Sequence, residues 1–387
     1  MKIGVPKEIM HDEARVAATP DTVRKYVAAG HEVFVEKTAG LGILATAEDY
    51  AKAGAIICDT AQEVYDNAEL ILKVKEPLFN EETGKHEIDM MHAGQYLITF
   101  IHPASPINHD MVRKMAAAGI ISMAIEGVPR ISRAQSMDAL TSMSTVAGYK
   151  GTLMAAADLN RFIPMIPTAA GLIKPCKGMV IGVGVAGLQA LATMKRLGAV
   201  TYACDIRPMA AEQAQSLGAK VVETGVDPEL AIGQGGYAKS LPADVLAAER
   251  EKIAAVLPEM DIVFLSALVP GELAPVLITE EMVKTMKPGA VIVDIAIDQG
   301  GNCEATVPGV QAEKYGVILE GIKNIPGRLA VSSSFMYAAN MCALVNYLTK
   351  DGKLVLDESD DIVAGMMTTK DGKVVHKGAL AAMELVK

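Results

Sequence analysis

The chain has 387 residues, of which 51% are hydrophobic and 21% charged, a balance that excludes a disordered, collagen-like or coiled-coil protein. Its 46 acidic residues outnumber its 36 lysines and arginines, so nucleic acid is not an expected partner. The five cysteines are scattered without a CxxC pair, which argues against a disulfide framework and a metal site. The N-terminus lacks a signal-peptide core, and the most apolar run, residues 179–194, holds three glycines, so we expect a soluble chain without a membrane span.

Short apolar runs alternate with helical patterns in two series along the chain. In the first series, Thr19-Pro20 begins a helix that Gly30 ends. The predicted strands of this series are residues 2–5, 31–36, 69–74, 96–100 and 120–123. The second series starts at Met179, and its later strands are residues 200–204, 220–222, 261–265, 290–294 and 316–320. This alternation is typical of parallel sheets covered by helices.

The segments between and after the two series predict the domain organisation. Residues 139–161 predict a connecting helix, and residues 162–177, rich in Pro and Gly, predict a loop. A long helix is predicted at 333–348, and the tail after it has too few strands for a separate domain. We therefore expect an α/β protein with two Rossmann-like domains, parallel sheets flanked by helices, a cleft between the domains and a discontinuous first domain. The expected domains are residues 1–138 with 330–387, and residues 139–329.

The strongest local signal is a Gly-x-Gly-x-x-Gly motif, Gly182, Gly184 and Gly187, between an apolar strand and a helix. Such glycines allow a tight turn, a close approach of a pyrophosphate and close packing of the helix on the strand. Asp205 ends the next strand, 18 residues past Gly187, where a carboxylate binds the adenosine ribose and repels the 2′-phosphate of NADP(H). The pattern predicts NAD(H) binding, and the alternative is a tight turn with a surface Asp. Arg207 either softens the preference for NAD or is a solvated side chain.

A polar loop follows a predicted strand at residues 128–138, Val-Pro-Arg-Ile-Ser-Arg-Ala-Gln-Ser-Met-Asp. Loops at the carboxyl ends of strands in open α/β sheets carry ligand sites. Arg130 and Asp138 can form a guanidinium–carboxylate pair, and Gln135 can present an amide to a nicotinamide. From spacing alone, a plain connecting loop is the alternative.

Five motifs together resemble the NAD(H)-binding domain I of proton-translocating nicotinamide nucleotide transhydrogenase, and the chain is also similar to alanine dehydrogenase. The motifs are PRISRAQSMD, IGVGVAGLQA, GQGGYAKSLP, ITEEMVKTMKPG and GGNCEATVPG. The resemblance implies a Re/Si-specific oxidoreductase, a homodimer and direct hydride transfer from NADH to NADP⁺ held by a partner subunit. It also implies membrane-spanning partner subunits that translocate protons, and a cytoplasmic location peripheral to the inner (plasma) membrane.

The resemblance also implies roles for single residues. Arg130, Gln135 and Asp138 would be catalytic, positioning the nicotinamide, with Gln135 between the two rings. The implied cofactor-binding residues are Gly182, Gly184, Val185, Ala186, Gly187, Asp205, Ile206, Arg207, Gly236, Tyr237, Ala267 and Leu268. Residues 233–238 would be a mobile flap over the nucleotide, which their glycine content favours independently, and a flexible surface loop is the alternative. Because neither nicotinamide gains or loses a proton in hydride transfer, no catalytic triad is expected.

Four further residues, Arg15, Lys75, His102 and Asp298, match the substrate pocket of alanine dehydrogenase. Arg15 and Lys75 would hold a carboxylate and a keto oxygen, His102 would act as acid and base, and Asp298 would steady the imine or the attacking water. The alternatives are a surface ion pair for Arg15, a hydrogen-bonded histidine and a turn acid. We expect a transhydrogenase subunit that retains this pocket. A free-standing alanine dehydrogenase and a nucleotide-binding regulatory module without chemistry are the alternative functions.

Overall fold

The structure, a computed structural model, describes residues 1–233, 238–269 and 273–385. The chain divides into two compact units, which we call the first unit (Met1–Met143 with Pro326–Lys387) and the second unit (Ser144–Ile325). A parallel-rich sheet flanked by helices forms the framework of each. The predicted fold class is therefore confirmed.

The first part of the chain alternates strands and helices, with the five predicted strands and three further ones at Ile56–Cys58, Phe79–Asn80 and Lys85–His86. The strands are β1 (Lys2–Val5), β2 (Glu32–Glu36), β3 (Ile56–Cys58), β4 (Leu70–Leu72), β5 (Phe79–Asn80), β6 (Lys85–His86), β7 (Tyr96–Thr99) and β8 (Ile121–Ala124). The helices are α1 (Pro20–Ala28), α2 (Ala47–Lys52), α3 (Ala61–Asn67), α4 (His109–Ala117) and α5 (Ala139–Asp158). Short 3₁₀ helices lie at Leu41–Ile43, Glu87–Met90, Pro106–Asn108, Ile125–Gly127 and Ser132–Met137.

The second unit begins within α5, at Ser144, and contains the glycine motif. Its strands are β9 (Ile166–Thr168), β10 (Gly171–Ile173), β11 (Lys177–Ile181), β12 (Val200–Cys204), β13 (Lys220–Val221), β14 (Ile262–Leu265), β15 (Val291–Asp294), β16 (Gln311–Lys314) and β17 (Val317–Glu320). Its helices are α6 (Val185–Arg196), α7 (Pro208–Ser216), α8 (Pro228–Ala231), α9 (Ala243–Val256) and α10 (Glu280–Val283), with 3₁₀ helices at Leu257–Glu259 and Ile297–Gln299. The prediction of a plain loop at 162–177 is wrong, because β9 and β10 pair there as an antiparallel hairpin.

The last part of the chain returns to the first unit. After a 3₁₀ helix (Ile325–Leu329) come α11 (Ala330–Leu348), β18 (Thr349–Lys350), β19 (Lys353–Leu354), α12 (Asp361–Met366), β20 (Met367–Lys370), β21 (Lys373–Val374) and α13 (Lys377–Leu385). Strand β20 pairs antiparallel with β8 and with β21. The tail therefore extends the sheet that the N-terminal residues begin.

Both large sheets reverse their strand order at one point, where open α/β sheets bind ligands. In the first unit the parallel strands run β3-β2-β1-β4-β7-β8, so the reversal lies between β1 and β4. In the second unit they run β13-β12-β11-β14-β15-β17, with β16 antiparallel at the edge, so the reversal lies between β11 and β14. The loops after β1 and β4, and those after β11 and β14, are therefore the places to look for sites.

Helix α11 lies in the most apolar long segment among the described residues. By length and composition alone, Ile325–Leu348 could cross a membrane, with a mean hydropathy of 1.2 in its best window. Half of that window is buried within the fold, and α11 packs against α1. We therefore interpret it as a core helix. Residues 179–194, the segment that the sequence alone singles out, instead form β11, the glycine turn and most of α6.

Candidate functional site

The glycine motif forms the turn between β11 and α6, at the strand-order reversal of the second sheet. Gly182 has a φ of +84°, and a Cβ there would lie 2.5 Å from the backbone N of Ala267. A Cβ on Gly187 would overlap the carbonyl oxygen of Gly182. In contrast, a Cβ on Gly184 would meet no atom of the described residues within 4 Å. The fold itself therefore requires Gly182 and Gly187, whereas the space beside Gly184 is open to a ligand.

The N-terminus of α6 supplies hydrogen-bond donors at this opening. Gly184 is the N-cap residue and has no side chain that could bond the first amides of the helix. The N–H groups at Val185, Ala186 and Gly187 therefore face outward at the positive end of the helix dipole, as a pyrophosphate requires. Leu188 donates its N–H to the Gly184 carbonyl at 2.8 Å, which is the first bond within the helix.

Asp205 follows β12 directly, and its side chain lies against the glycine turn. Oδ2 accepts a hydrogen bond from the backbone N of Val183 at 2.7 Å. Arg207 donates its backbone N and Nε to Oδ1, both at 2.9 Å, and Nη2 to Oδ2 at 2.8 Å. Since a carboxylate has about four acceptor positions, the protein itself fills them. A ribose hydroxyl therefore reaches this carboxylate only by displacing the Arg207 guanidinium.

Both simple alternatives for this pair are wrong. The Asp205 side chain is 4% exposed, so it is not a surface acid. Arg207 is not a solvated side chain, because its guanidinium is 22% exposed and its hydrogen bonds to Asp205 raise its pKa. The structure leaves Asp205 both buried and neutralised by a cation.

Two further residues of the second unit escaped prediction from sequence: Asn302, which bonds the backbone beside the glycine turn, and Glu249, which is close enough to Asp205 to be affected by its charge. Asn302 is fully buried, and its amide donates to the Ala267 carbonyl at 2.9 Å and accepts from the Ala267 N at 3.0 Å. Glu249 on α9 is 4% exposed; burial, and then the charge of Asp205, raises its pKa to about 7. In the sequence, the motif GGNCEATVPG could have drawn attention to Asn302, whereas nothing singles out Glu249.

The other predicted cofactor residues are only partly described. Ile206 is half-buried, and Leu268, next to Ala267 at the end of β14, is 38% exposed. Gly236 and Tyr237 of the predicted flap lie outside the described residues. Their roles remain predictions.

The predicted arginine–glutamine–aspartate loop lies in the first unit, around the 3₁₀ helix Ser132–Met137. Nε of Arg130 is 3.9 Å from Oδ2 of Asp138, the distance of an ion pair. Asp138 also accepts hydrogen bonds from the Thr141 N at 2.8 Å and the Thr141 hydroxyl at 2.6 Å, so it caps α5. Gln135 is exposed, and its amide bonds none of the residues that the structure describes. The loop thus presents an uncommitted amide beside a charged pair.

Arg15 and Lys75 lie where the strand order of the first sheet reverses, in the loops after β1 and β4. The Arg15 side chain is 2% exposed and bonds Glu13 from Nε at 2.8 Å and from Nη2 at 2.5 Å, so the alternative of a surface ion pair is wrong. Lys75 is half-buried, and within the described part of the chain its ammonium has no hydrogen-bond partner. Such a group is available to an anionic ligand.

His102 follows β7 at the same edge of the first sheet. It has a φ of +48°, and its ring stacks on Phe100 with the centroids 5.8 Å apart. Nδ1 lies 3.6 Å from Oε1 of Glu126, beyond a hydrogen bond, and the side chain is 47% exposed. Asp298, in contrast, belongs to the second unit, where it is exposed on a 3₁₀ turn, 3.6 Å from the ammonium of Lys323. The structure therefore brings Arg15, Lys75 and His102 to one sheet edge.

A buried charge cluster supports this edge and was missed by sequence reasoning. The Lys73 ammonium is fully buried, 2.7 Å from Oε1 of Glu87 and 3.3 Å from Oε2 of Glu8. Burial opposes the charge of Lys73, but the two carboxylates outweigh it and raise the pKa of the amine. Burial raises the pKa of Glu8 to about 7 despite the nearby ammonium. Because Glu8 also accepts from the backbone of Val74 and Lys75, the cluster joins the loops after β1 and β4.

Comparisons with known proteins agree over the whole chain. Two family models match: the alanine dehydrogenase/PNT N-terminal domain at residues 4–147 and the alanine dehydrogenase/PNT C-terminal domain at residues 151–377. The first polypeptide of the NAD(P) transhydrogenase subunit alpha of Rhodospirillum rubrum is 43% identical, over 97% of this chain and 98% of that protein. The alanine dehydrogenase of Methanococcus maripaludis is 35% identical, over 100% of this chain and 97% of that protein. The crystal structure of the Sinorhizobium meliloti transhydrogenase superposes with a TM-score of 0.81 at 38% identity, over 97% of this chain and 99% of that one.

Proposed function

This chain belongs to the alanine dehydrogenase/PNT family, and we propose that it is the NAD(H)-binding subunit of a Re/Si-specific, proton-translocating NAD(P) transhydrogenase. Relatives named as transhydrogenase alpha subunits support the NAD-binding and oxidoreductase role. Beyond that, we propose direct hydride transfer between NADH on this chain and NADP⁺ on a partner subunit. Protons would cross the membrane in further subunits.

The observation that carries the proposal is the open space beside Gly184, flanked by the free amides of α6 and by Asp205. This arrangement suits a dinucleotide whose pyrophosphate lies on the helix N-terminus. The Asp205 carboxylate on the ribose side favours NAD(H), because it can accept hydrogen bonds from the free ribose hydroxyls, which NADP(H) lacks at the 2′ position. Gly182, Ala267 and Asn302 hold the turn in this shape.

Bound NADH would supply the hydride, and the residues of this chain need only hold and orient the nicotinamide. No proton is gained or lost by either ring, so the rate depends on geometry and on the exclusion of water. We propose that Arg130, Gln135 and Asp138 do this work. The uncommitted amide of Gln135 and the Arg130–Asp138 pair support these roles.

We also propose the assembly that this function needs. The chain would form a homodimer and bind an NADP(H)-binding subunit, and it would reach the cytoplasmic face of the inner (plasma) membrane only through membrane-spanning partners. The relatives named as alpha subunits support the existence of such partners.

A second candidate, NAD-dependent alanine dehydrogenase, is favoured by Lys75. Its half-buried side chain ends in an ammonium without a partner in the described part of the chain, which suits the carboxylate or keto oxygen of pyruvate, whereas the Arg15 guanidinium at the same sheet edge is bonded to Glu13. Several alanine dehydrogenases are among the relatives. We propose that the pocket is retained without amino-acid turnover.

Two assays on the purified chain separate the candidates. With NADH, pyruvate and ammonia, we expect no NADH consumption; consumption would establish the alanine dehydrogenase. After addition of an NADP(H)-binding transhydrogenase subunit, we expect hydride transfer between NADH and NADP⁺, and Gln135→Ala should slow it while NADH still binds. NADH binding without hydride transfer in either assay would point to a regulatory module.

A further inference from the structure

The 3₁₀ helix Ser132–Met137, which carries Gln135, is fastened to α11 and α12 by contacts that the roles given so far do not use. Arg133 donates Nη1 to Oδ2 of Asp360 at 2.8 Å and Nη2 to Oδ1 at 3.4 Å. Tyr347 of α11 donates its hydroxyl to Oδ2 of Asp360 at 2.6 Å and also contacts Nη1 of Arg133. Asp360 in turn caps α12, accepting from the Ile362 N at 2.7 Å. The three side chains form one charged junction.

The charges at this junction reinforce one another although the surface is near. Hydrogen bonds from Arg133 and Tyr347 hold the pKa of Asp360 well below its usual range, and the pKa of Arg133 is raised by the same contact. The guanidinium also lies over the Tyr347 ring, 6.0 Å from its centroid. A bidentate, stacked arginine is fixed in orientation as well as in position.

A second contact holds the loop at Ser136, one residue past Gln135. Asn340 of α11 donates Nδ2 to the carbonyl of Ser136 at 2.8 Å. Its Oδ1 is buried without a hydrogen-bond partner among the described residues, which is unfavourable for a polar atom removed from water. A buried polar atom left unpaired in this way calls for a reason. In this structure, burying Asn340 allows its amide nitrogen to bond the carbonyl of Ser136.

These contacts determine which way the short helix faces. Ala134 and Met137 are buried, and Arg133 and Ser136 are fastened. Gln135, between them, is left exposed, without a hydrogen-bond partner in the described part of the chain. Its backbone is therefore held on both sides while its amide stays available.

We propose that Arg133, Asn340, Tyr347 and Asp360, here called the loop clasp, are positioning residues that fix Gln135 for hydride transfer. This inference rests on the function proposed above. A misplacement of about 1 Å at a reacting centre can slow a reaction by about 100-fold, so a loop that carries a reaction-site residue gains rate from being held. None of the four clasp residues needs to touch the nucleotide.

The test compares clasp variants with a matched control in hydride transfer with an NADP(H)-binding partner subunit. Arg133→Met and Asp360→Asn break the junction, and the Asn still caps α12. Arg113→Met breaks a similar exposed pair, Arg113–Asp110 at 3.0 Å, away from the loop. We expect the clasp variants to lose about 10- to 100-fold in kcat with unchanged NADH affinity, and the control to keep the wild-type rate.

Three further variants sharpen the result. The double variant Arg133→Met/Asp360→Asn should lose no more than either single variant, because both remove one contact. Arg133→Lys should recover part of the rate, and Asn340→Ala should lower kcat through loss of the second contact. Calorimetry with NADH distinguishes two explanations. A loss of positioning leaves the NADH affinity unchanged, whereas general damage to the fold lowers it.

The outcomes are distinguishable. Wild-type rates in the clasp variants, the same loss in Arg113→Met, or a matching loss of NADH affinity would each overturn the inference while leaving the proposed function intact. Absence of hydride transfer in the wild-type chain would overturn the proposed function, and the inference with it.

Discussion

The guanidinium of Arg207 bonds both oxygens of Asp205, at 2.9 Å from Nε and 2.8 Å from Nη2, on the carboxylate that an adenosine ribose would contact. The backbone amides of Val183 and Arg207 take the other acceptor positions. In the proposed site, a bound NADH would therefore compete with Arg207 for Asp205. The affinity for NADH would then depend on the free energy of the new ribose hydrogen bonds to Asp205 minus that of the Arg207 bonds that they replace.

Replacing Asp205 should change which dinucleotide the second unit prefers. In Asp205→Ser, we expect NADH affinity to fall by about tenfold, the cost of one hydrogen bond to a charged group. NADPH affinity should rise, because the released guanidinium of Arg207 can bind the 2′-phosphate. Calorimetry with both nucleotides measures the ratio. The double variant Asp205→Ser/Arg207→Met should lose the gain for NADPH, and an unchanged NADH to NADPH ratio in the single variant would contradict the site.

The glycine turn predicts opposite behaviour for two similar substitutions. Gly184→Ala places its Cβ in open space, so the protein should keep its thermal stability and lose NADH affinity by an order of magnitude or more. Gly187→Ala forces the Cβ against the Gly182 carbonyl, so it should destabilise the fold by about 1–3 kcal/mol. Thermal unfolding and calorimetry on both variants make the comparison. NADH binding by Gly184→Ala at wild-type affinity would place the pyrophosphate elsewhere.

Removing the buried Lys73 should strongly destabilise the first unit. Lys73→Met leaves Glu8 and Glu87 buried without their cation, which typically costs about 3–5 kcal/mol. Lys52→Met is the matched control, because Lys52 pairs with Glu48 on the surface and its loss should cost less than about 0.5 kcal/mol. Urea unfolding gives both values. Equal effects in the two variants would show that the cluster contributes little.

Three buried carboxyl groups should each lower the stability as the pH rises from about 5 to about 7. Burial raises the pKa values of Glu8 and Glu249 to about 7 and that of Asp294 to about 6, each above its value in the unfolded chain. Their stabilisation is therefore complete below the unfolded pKa near 4 and is lost as the pH passes through the folded pKa. Above about pH 8 these groups are ionised in both the folded and the unfolded chain, so they no longer make the stability depend on pH.

Glu249→Gln tests this pH dependence at one site. A neutral amide mimics the protonated carboxyl, so the difference in unfolding free energy between pH 5 and pH 8 should shrink by about 2–3 kcal/mol. Urea unfolding at both pH values measures it. The exposed Glu251 on the same helix supplies the control, Glu251→Gln, which should leave the pH profile unchanged. Parallel profiles for wild type and Glu249→Gln would contradict a buried, protonated Glu249.

The parallel framework was predictable because its strands are apolar runs between helix caps and glycines. The predicted strand at 200–204 is β12 itself, and Thr19 caps α1 as expected. The hairpin β9–β10 was missed because Pro164, Pro167 and Gly171 indicate a loop. Strands β20 and β21 were missed because they are short and partly polar, and β20 owes its order to β8, far away in sequence.

Within the site, local patterns predicted positions but not partners. The glycine motif placed the turn correctly, since its geometry depends on neighbouring residues. The Arg207–Asp205 pair depends on side-chain direction, and Asn302 and Lys73 acquire their roles only when separate loops meet. The roles of Arg130, Gln135 and Asp138 remain predictions from the family resemblance.

The antiparallel pairing of β20 with β8 has a consequence for folding during synthesis. Ser144–Ile325 is continuous and can condense as it leaves the ribosome, whereas the sheet begun at Lys2 waits for Met367–Lys370 to be synthesised. Until then β8 is an unpaired edge strand, and such edges can form hydrogen bonds with strands of other chains. A chain that stops just before Met367 should therefore expose this strand edge and be prone to aggregation.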